Sequence, residues 1–137
     1  MAVNPAAALQ KAMWDVLRAD AQLQTLLGGA RIYDRPPRQA PVPFVTFGEW
    51  ETRAWNTMSH DGHEHRITLH VWTEHGGRKR AYEVIARMDE LLDDAALTLS
   101  DHHLVHLRSI FWTALRGAEG RLFHGLLRLR AVTHPLN

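Results

Sequence analysis

The sequence predicts an α+β fold in which two main α-helices pack on one face of a mostly antiparallel β-sheet. Three observations carry this prediction. Apolar residues recur at three- and four-residue steps near the start of the chain and again after Gly76 and Gly77. Alternating apolar and polar residues indicate strands in the middle and at the end of the chain. The resulting order of helix, strands, helix and strands is typical of α+β proteins.

The first helical region begins at Asn4, whose side chain can cap a helix that has Pro5 at its first position. The apolar stripe of this helix consists of Leu9, Met13, Val16 and Leu17. Asp20 can cap a second, shorter helix. Gly28 and Gly29 are predicted to end it, because glycine adopts the left-handed conformation of a helix stop without steric cost.

The middle of the chain is predicted to form a strand hairpin. Ile32 and Tyr33 form a short strand, and four prolines hold the following segment extended. The β-branched and aromatic content of Phe44–Trp55 predicts a longer strand. A polar turn over Asn56–Gly62 connects it to another strand, in which alternation resumes from His65.

Alternation assigns the side chains of the two hairpin strands to opposite faces of the sheet. In the first strand, one face is predicted to carry Phe44, Thr46, Gly48 and Trp50, and the other Val45, Phe47 and Glu49. In the second strand, the apolar face is predicted to carry Ile67, Leu69 and Val71, and the polar face Arg66, Thr68, His70 and Trp72. Trp72 is therefore expected on the polar side of the sheet.

The second main helix is predicted to follow Gly76 and Gly77, which break the strand pattern. Its apolar residues are Ala81, Val84, Ile85, Met88, Leu91 and Leu92. The opposite side is charged and carries Arg78, Arg80, Arg87 and Asp89. This amphipathic pattern predicts that the helix packs its apolar stripe across the sheet.

Two more strands are predicted in the last third of the chain, joined by a hairpin connection at 117–120. Leu104–Leu115 is predicted to be a strand, and alternation opposes Val105, Leu107 and Phe111 to His106, Arg108 and Trp112. Arg121–Thr133 is predicted to be the other strand, and alternation opposes Phe123, Leu127 and Leu129 to His124, Arg128 and Arg130. In both strands the apolar set is expected to face the helices.

Length and composition limit the class of protein. A chain of 137 residues predicts a single domain spanning residues 1–137. Sixteen basic and fifteen acidic residues nearly cancel, so no long-range field would concentrate nucleic acid or anionic lipid on the protein. The absence of cysteine excludes disulfides and thiolate metal sites. No apolar stretch approaches the ~20 residues of a membrane span, so we expect no membrane partner and a cytoplasmic site of synthesis and assembly.

The clearest candidate for chemistry is the histidine-rich run from His60 to His65. His63 and His65 are two residues apart and would share a strand face, so they could ligate one metal ion together with an oxygen from Asp61 or Glu64. A small metal-binding enzyme or binding module is therefore an alternative function. However, the sequence selects no further ligand, and no serine lies in a nucleophile motif. We predict no enzymatic activity, no catalytic residue, no cofactor and no metal site.

The aromatic residues predict a protein interface instead. Tryptophan anchors interfaces because it buries a large rigid surface and keeps one hydrogen-bond donor. Trp72 shares its predicted face with Arg66 and His70, and Trp112 lies on the predicted polar face of its own strand. We therefore expect a sheet face of aromatic and arginine side chains that a partner covers. The predicted contact residues are Trp50, Arg53, Trp55, Arg66, Trp72 and Trp112.

The segment Leu9–Thr133 resembles a family of tail-completion proteins, the tail terminators of long-tailed, siphovirus-type bacteriophages and of gene transfer agents. The pieces that carry the resemblance are, in order, LLGG, RIYDRPP, PFVTFGEWETRAWNT, DGHEHRITLHVW, the helix after GGRKRAYEV, and HGLLRLRAVT. Their order and spacing matter more than any single piece. The most specific part is RIYD followed by PxPFVTFG and then HRITLHVW.

The resemblance implies a structural virion protein without catalytic residues, folded as a small antiparallel sheet with helices packed against it. It implies a hexameric ring at the head-proximal end of the tail tube, which stops tube polymerisation and joins the tail to the neck. The implied partners are further copies of the chain, the tail-tube protein and a neck or head-completion protein, while DNA passes through the lumen without specific binding. The implied location is the tail–neck junction of the virion. Another head–tail connector of related fold is a further alternative.

Overall fold

The computed structural model describes residues 3–74, 78–117 and 122–136, and these residues form three helices and five strands in one sheet. The helices are α1 (Pro5–Ala19), α2 (Ala21–Leu27) and α3 (Arg78–Leu92). The strands are β1 (Ile32–Tyr33), β2 (Phe44–Asn56), β3 (Asp61–Thr73), β4 (His102–Arg116) and β5 (Phe123–Pro135). None of the helices in these described residues has the length and apolar character that a membrane crossing requires.

The strand order in the sheet is β1-β2-β3-β5-β4. The β1 and β2 strands are parallel, and the other three neighbouring pairs are antiparallel. The predicted α+β class with a mostly antiparallel sheet is therefore confirmed. The predicted hairpin of β2 and β3 is also present, with Asn56 paired to Asp61 across the turn.

One hydrophobic core lies between the helices and one face of the sheet. The predicted helix stripes enter it, with Leu9, Met13 and Leu17 of α1 and Met88 of α3 fully buried. From the sheet, the predicted apolar faces of β3 and β5 contribute buried residues, namely Ile67, Leu69, Val71, Leu127 and Leu129. Because α1 and α3 contact this face and α2 packs on α1 and α3, no described helix covers the opposite face.

The predicted helix caps are present. The Asn4 side chain accepts hydrogen bonds from the amides of Ala6 and Ala7 at 2.9 and 3.2 Å. The Asp20 side chain accepts from Leu23 N at 2.8 Å, and Gly28 ends α2 with a left-handed φ of 82°. The predicted break at residues 76–77 and most of the predicted connection at 117–120 lie outside the described residues.

Asp20 also joins two helices. Its carboxylate accepts two hydrogen bonds from the Arg87 guanidinium of α3, at 2.6 Å from Nη2 and 2.8 Å from Nε. Hydrogen bonding from Arg87 lowers the pKa of Asp20, so this carboxylate stays ionised at neutral pH. One side chain therefore caps α2 and fixes α2 against α3.

The predicted face assignment of β2 is wrong beyond Phe47. The pairing with β3 shifts between Phe47 and Trp50, which indicates a β-bulge at Gly48 and Glu49. The bulge places Trp50 on the helix-facing side, where its ring lies 6.3 Å from that of Phe47 and packs against the core. Simple alternation had placed these two aromatic rings on opposite faces.

Two irregularities also change the predicted face assignment of β4. The pairing with β5 shifts between Leu104 and His106 and again between Ser109 and Phe111. Leu107 is buried as predicted, but Val105 is 50% exposed. After the second shift, Phe111 pairs with Arg128 on the uncovered face, and Trp112 pairs with Leu127 on the helix side. The predicted positions of Phe111 and Trp112 are thus reversed.

Candidate interaction surface on the open face of the sheet

The sheet face that the helices leave uncovered is called the open face below. It carries charged, histidine and aromatic side chains from four strands. Following the strand pairings, these include Glu51, Arg53 and Trp55 of β2, Glu64, Arg66, His70 and Trp72 of β3, His106 and Phe111 of β4, and His124, Arg128 and Arg130 of β5. A face of this composition is typical of a protein contact surface, because arginine and aromatic residues are enriched at interfaces.

A carboxylate on the open face, near the hairpin end of β3, binds two arginines. Glu64 accepts a hydrogen bond from Nε of Arg130 at 2.5 Å and lies 3.5 Å from Nη2 of Arg66. Hydrogen bonding from Arg130 lowers the pKa of Glu64, so the carboxylate remains charged at neutral pH. The Arg130 guanidinium also lies 5.1 Å from the Trp55 ring centroid and within hydrogen-bond distance of His106. These contacts hold Arg130 in one orientation.

A stack of rings covers one end of the open face. The rings of Trp72 and His124 are parallel, with centroids 4.0 Å apart. Nδ1 of His70 lies 2.6 Å from Nε2 of His124, so the two imidazoles share a hydrogen bond. Burial lowers the pKa of both histidines and favours their neutral forms. Gly48 in the β2 bulge lies against the His70 ring, where a Cβ atom would collide with the imidazole.

A shallow groove of about 730 Å³ crosses the open face between its two edges. Glu49 and Glu51 line it on the β2 side, and Ile110, Phe111 and Arg128 line it on the β4 side. The Arg128 guanidinium lies 5.4 Å from the centroid of the Phe111 ring. The groove is open to solvent rather than enclosed, so its shape suits a protein surface better than a small molecule.

The histidine-rich run does not converge on one site. His65 is fully buried, with Nδ1 2.9 Å from Oγ1 of Thr52 and Nε2 3.0 Å from Oγ1 of Thr133. Burial, followed by the proximity of His63, lowers its pKa to about 4, so the ring is neutral at pH 7. His60 instead stacks on the ring of His134, with centroids 4.0 Å apart.

The metal-binding alternative therefore has no ligand set. Both nitrogens of His65 already make hydrogen bonds to threonine side chains. Among residues 3–74, 78–117 and 122–136, no group of three or more His, Asp or Glu side chains is arranged to hold a metal ion. Glu64 and His65 are buried and make hydrogen bonds within the sheet, so they have a structural role. The sequence had suggested that this run is an exposed polar turn.

The predicted contact residues divide between the two faces. Arg53, Trp55, Arg66 and Trp72 lie on the open face, by their pairings across β2, β3 and β5. Trp50 lies on the helix-facing side instead of the open face. There its Nε1 donates a hydrogen bond to Oγ1 of Thr52 at 3.1 Å.

Trp112 was also assigned to the wrong face. It packs edge-on against Tyr82 of α3, with ring centroids 5.7 Å apart, yet it remains 56% exposed. Ile110 and Phe111 are each 47% exposed, and strand alternation did not predict them as surface residues. One signal was available, because three successive large apolar residues at 110–112 cannot all face the core of a regularly alternating strand.

Comparison with known proteins identifies the family. Residues 11–134 match the family described as tail completion protein gp17. The chain is 25% identical over 125 residues to tail completion protein gp17 of Bacillus phage SPP1, covering 90% of each protein. It also resembles a chain in the solved structure of a native gene transfer agent virion, with a TM-score of 0.85 and 30% identity, over 94% of this chain and 96% of that one.

The open face is the kind of surface that this family requires, because a structural virion protein works through contact surfaces rather than a catalytic centre. The matches establish a structural tail protein that resides in the virion and is not an enzyme. The chain belongs to the tail completion protein gp17 family.

Proposed function

We propose that this chain is a tail terminator, of which six copies form a ring on the head-proximal end of the tail tube. The ring stops polymerisation of the tube protein and joins the tail to a neck or head-completion protein. The observation that carries the proposal is the family match over residues 11–134, together with the similarity to a chain of a complete gene transfer agent particle.

The open face supports a role in assembly. In one copy it presents arginine and aromatic side chains that no helix of the described residues covers. Arg53, Trp55, Arg66 and Trp72 are the proposed contact residues on this face. A stable contact between copies, or between a copy and the tube, would bury on the order of 1,000 Å² or more. Exposed aromatic and arginine side chains supply the anchors that such a contact requires.

The charge of the chain suits a ring through which DNA passes. The formal net charge is +1, and Glu64 neutralises part of the positive charge of Arg66 and Arg130 on the open face. A strongly basic lumen would hold the phosphates of DNA, whereas a nearly neutral one lets the duplex slide. We propose that DNA traverses the ring without sequence-specific contacts.

The test combines the purified protein with the tail-tube protein of the same particle. We expect tubes that stop growing when the protein is added, and negative-stain images with a sixfold ring on one tube end. The variant Arg53→Ala/Trp55→Ala should reduce end capping strongly while lowering the melting temperature only slightly, since both side chains are exposed and Trp55 contributes a single cation–π contact with Arg130. Tubes of unchanged length with bare ends would contradict the proposal. Free protein that is monomeric would not, because rings can assemble on the tube alone.

A further inference from the structure

We propose that neighbouring copies in the ring meet head to tail through opposite edges of the sheet. The β2 edge of one copy, carrying Glu49 and Glu51, would lie against the β4 edge of the next copy, which carries Ile110 and Phe111 and has Arg128 of the adjacent β5 strand beside Phe111. This inference rests on the proposed ring and names the surfaces that join its subunits.

The β4 edge exposes an apolar strip. Ile110, Phe111, Trp112 and Leu115 are each between 47% and 56% exposed, although all lie on one edge strand. The irregularity at Ile110 causes this exposure, because it breaks alternation and turns successive side chains outward. Exposed apolar strips of this kind are typical of protein contacts, and edge strands tend to be covered by a partner.

The β2 edge is uncovered along most of its length. The β1 strand pairs only with Val45 and Thr46, so no described strand lies on the outer side of β2 from Gly48 onwards. Every residue from Gly48 to Asn56 except Trp50 is exposed. This edge carries Glu49 and Glu51, and no ion pair within the described part of the chain involves either carboxylate.

The two edges carry complementary charge. Strand pairing forms a row across the open face from Glu51 through Arg66 and Arg130 to Arg108, so an acid stands at one edge and arginine at the other. Arg108 is bound to Asp93, but no carboxylate among the described residues pairs with Arg128, which lies over Phe111. Three strand spacings, roughly 14 Å in total, separate the two edges within one copy. Arg128 belongs to β5, two strand spacings from β2, and forms no ion pair with Glu49 or Glu51 within the described part of one copy. Its charge is therefore available to the carboxylates of a neighbouring copy.

The geometry favours a ring over a two-fold dimer. Contact between two different edges is heterologous, so each copy keeps one edge for the next neighbour until the ring closes. The β2 and β4 strands run in opposite directions, so a neighbour's β4 beside β2 would continue the antiparallel order. Near Leu107 and Ser109 the outer side of β4 is already bonded to Asp94 and Asp93, so side chains would carry the contact there.

Charge reversal gives a sharp test. Variant A is Glu49→Arg/Glu51→Arg, and variant B is Arg128→Glu. Each variant alone would set like charges against each other at every contact, whereas alternating A and B would restore opposite charges at every contact. We expect native mass spectrometry and tube-end imaging to show an assembled fraction about tenfold below wild type for either variant. An equal mixture should recover rings with three copies of each. Glu83→Arg, an exposed reversal on α3, is the control and should assemble normally.

Cysteine pairing tests the same contact without disturbing charge. The chain has no native cysteine, so Glu51→Cys and Phe111→Cys can be introduced singly and together. Within one copy these positions are too far apart to form a disulfide, which requires Cα atoms within about 7 Å. Under mild oxidation on tube ends, we expect a ladder of up to six linked chains from the double variant and a linked dimer from mixing the single variants. A ladder made by Glu83→Cys/Phe111→Cys as well would overturn the assignment.

The outcomes separate this contact from the ring itself. Wild-type protein that never assembles, even on tube ends, would overturn the ring and this contact together. Wild-type rings with both charge variants assembling normally would overturn the contact alone. Folded variants that fail singly and also fail when mixed would overturn it too, because the alternating ring restores every proposed charge pair. Recovery by mixing, with the cysteine ladder, would support it.

Discussion

Acidification should destabilise the protein through protonation of His65. The effect of His65 on stability can be measured separately from the effects of the other titrating groups. The His65 ring is buried between Thr52 and Thr133. Because Trp50 Nε1 can only donate, its 3.3 Å contact assigns Nδ1 of His65 as an acceptor and leaves the proton on Nε2. Protonation of the ring would place a donor opposite the Trp50 donor and a charge in the core. The folded protein therefore resists protonation at this position.

The magnitude follows from the pKa of His65, which falls from 6.5 to about 4 on folding. Because the unfolded chain binds this proton more readily, the contribution of His65 is complete above about pH 6.5 and decreases as the pH falls toward 4. At pH 4.5, linkage predicts a loss of about 2.5 kcal/mol in the free energy of unfolding. With a urea slope of roughly 2 kcal/mol per molar, the midpoint would fall by about 1.2 M.

The assay compares urea unfolding of wild type and His65→Gln at pH 7.5 and pH 4.5. Lowered pKa values at His70, His106 and His124 add to the acid sensitivity of both proteins and cancel in the comparison. We expect wild type to lose about 2.5 kcal/mol more than the variant between the two pH values. Equal losses in the two proteins would refute the reasoning, because they would show that His65 is protonated in the folded state without cost.

Two further substitutions test contacts described above. Asp20→Ala should lower the free energy of unfolding by about 1 to 2 kcal/mol in thermal or urea unfolding, since it removes a helix cap and leaves Arg87 paired only with the exposed Glu90. The exposed Asp15→Ala is the control and should change the free energy of unfolding by less than about 0.5 kcal/mol. Gly48→Ala should lower the free energy of unfolding by about 1 to 2 kcal/mol, because the added Cβ displaces the His70 ring. In a His70→Ala background, Gly48→Ala should lower the free energy of unfolding much less. An equal loss in both backgrounds would contradict the proposed collision.

The sequence predicted those elements whose periodicity is regular. The helices α1 and α3, the β3 strand and the β5 strand match their predicted apolar faces, because an uninterrupted period of 3.6 or 2 directly identifies the buried side. The caps at Asn4 and Asp20 could be predicted for a different reason, since their side chains satisfy backbone amides only a few residues away.

The wrong face assignments in β2 and β4 have a single physical origin. A bulge adds one residue to a strand and reverses the face of every residue beyond it, and regular alternation, which was used to assign the faces, does not include such an extra residue. Trp50 and Trp112 were assigned to the wrong face for this reason. The contact of Arg128 with Phe111 depends on the same shift. The kinds of side chain on the open face could therefore be predicted, but not which residues of β2 and β4 lie on it.

The irregularity at Ile110 also bears on how this strand tolerates changes in length. Ser109 and Phe111 are already matched to consecutive partners, Leu129 and Arg128, so removing Ile110 would leave both matches intact. Deleting a residue from a regular stretch of β4 would instead invert the orientation of the remainder of the strand. Ile110 is thus an extra residue that β4 can lose without a change in strand pairing. Family members whose β4 strand is one residue shorter should lack the residue equivalent to Ile110.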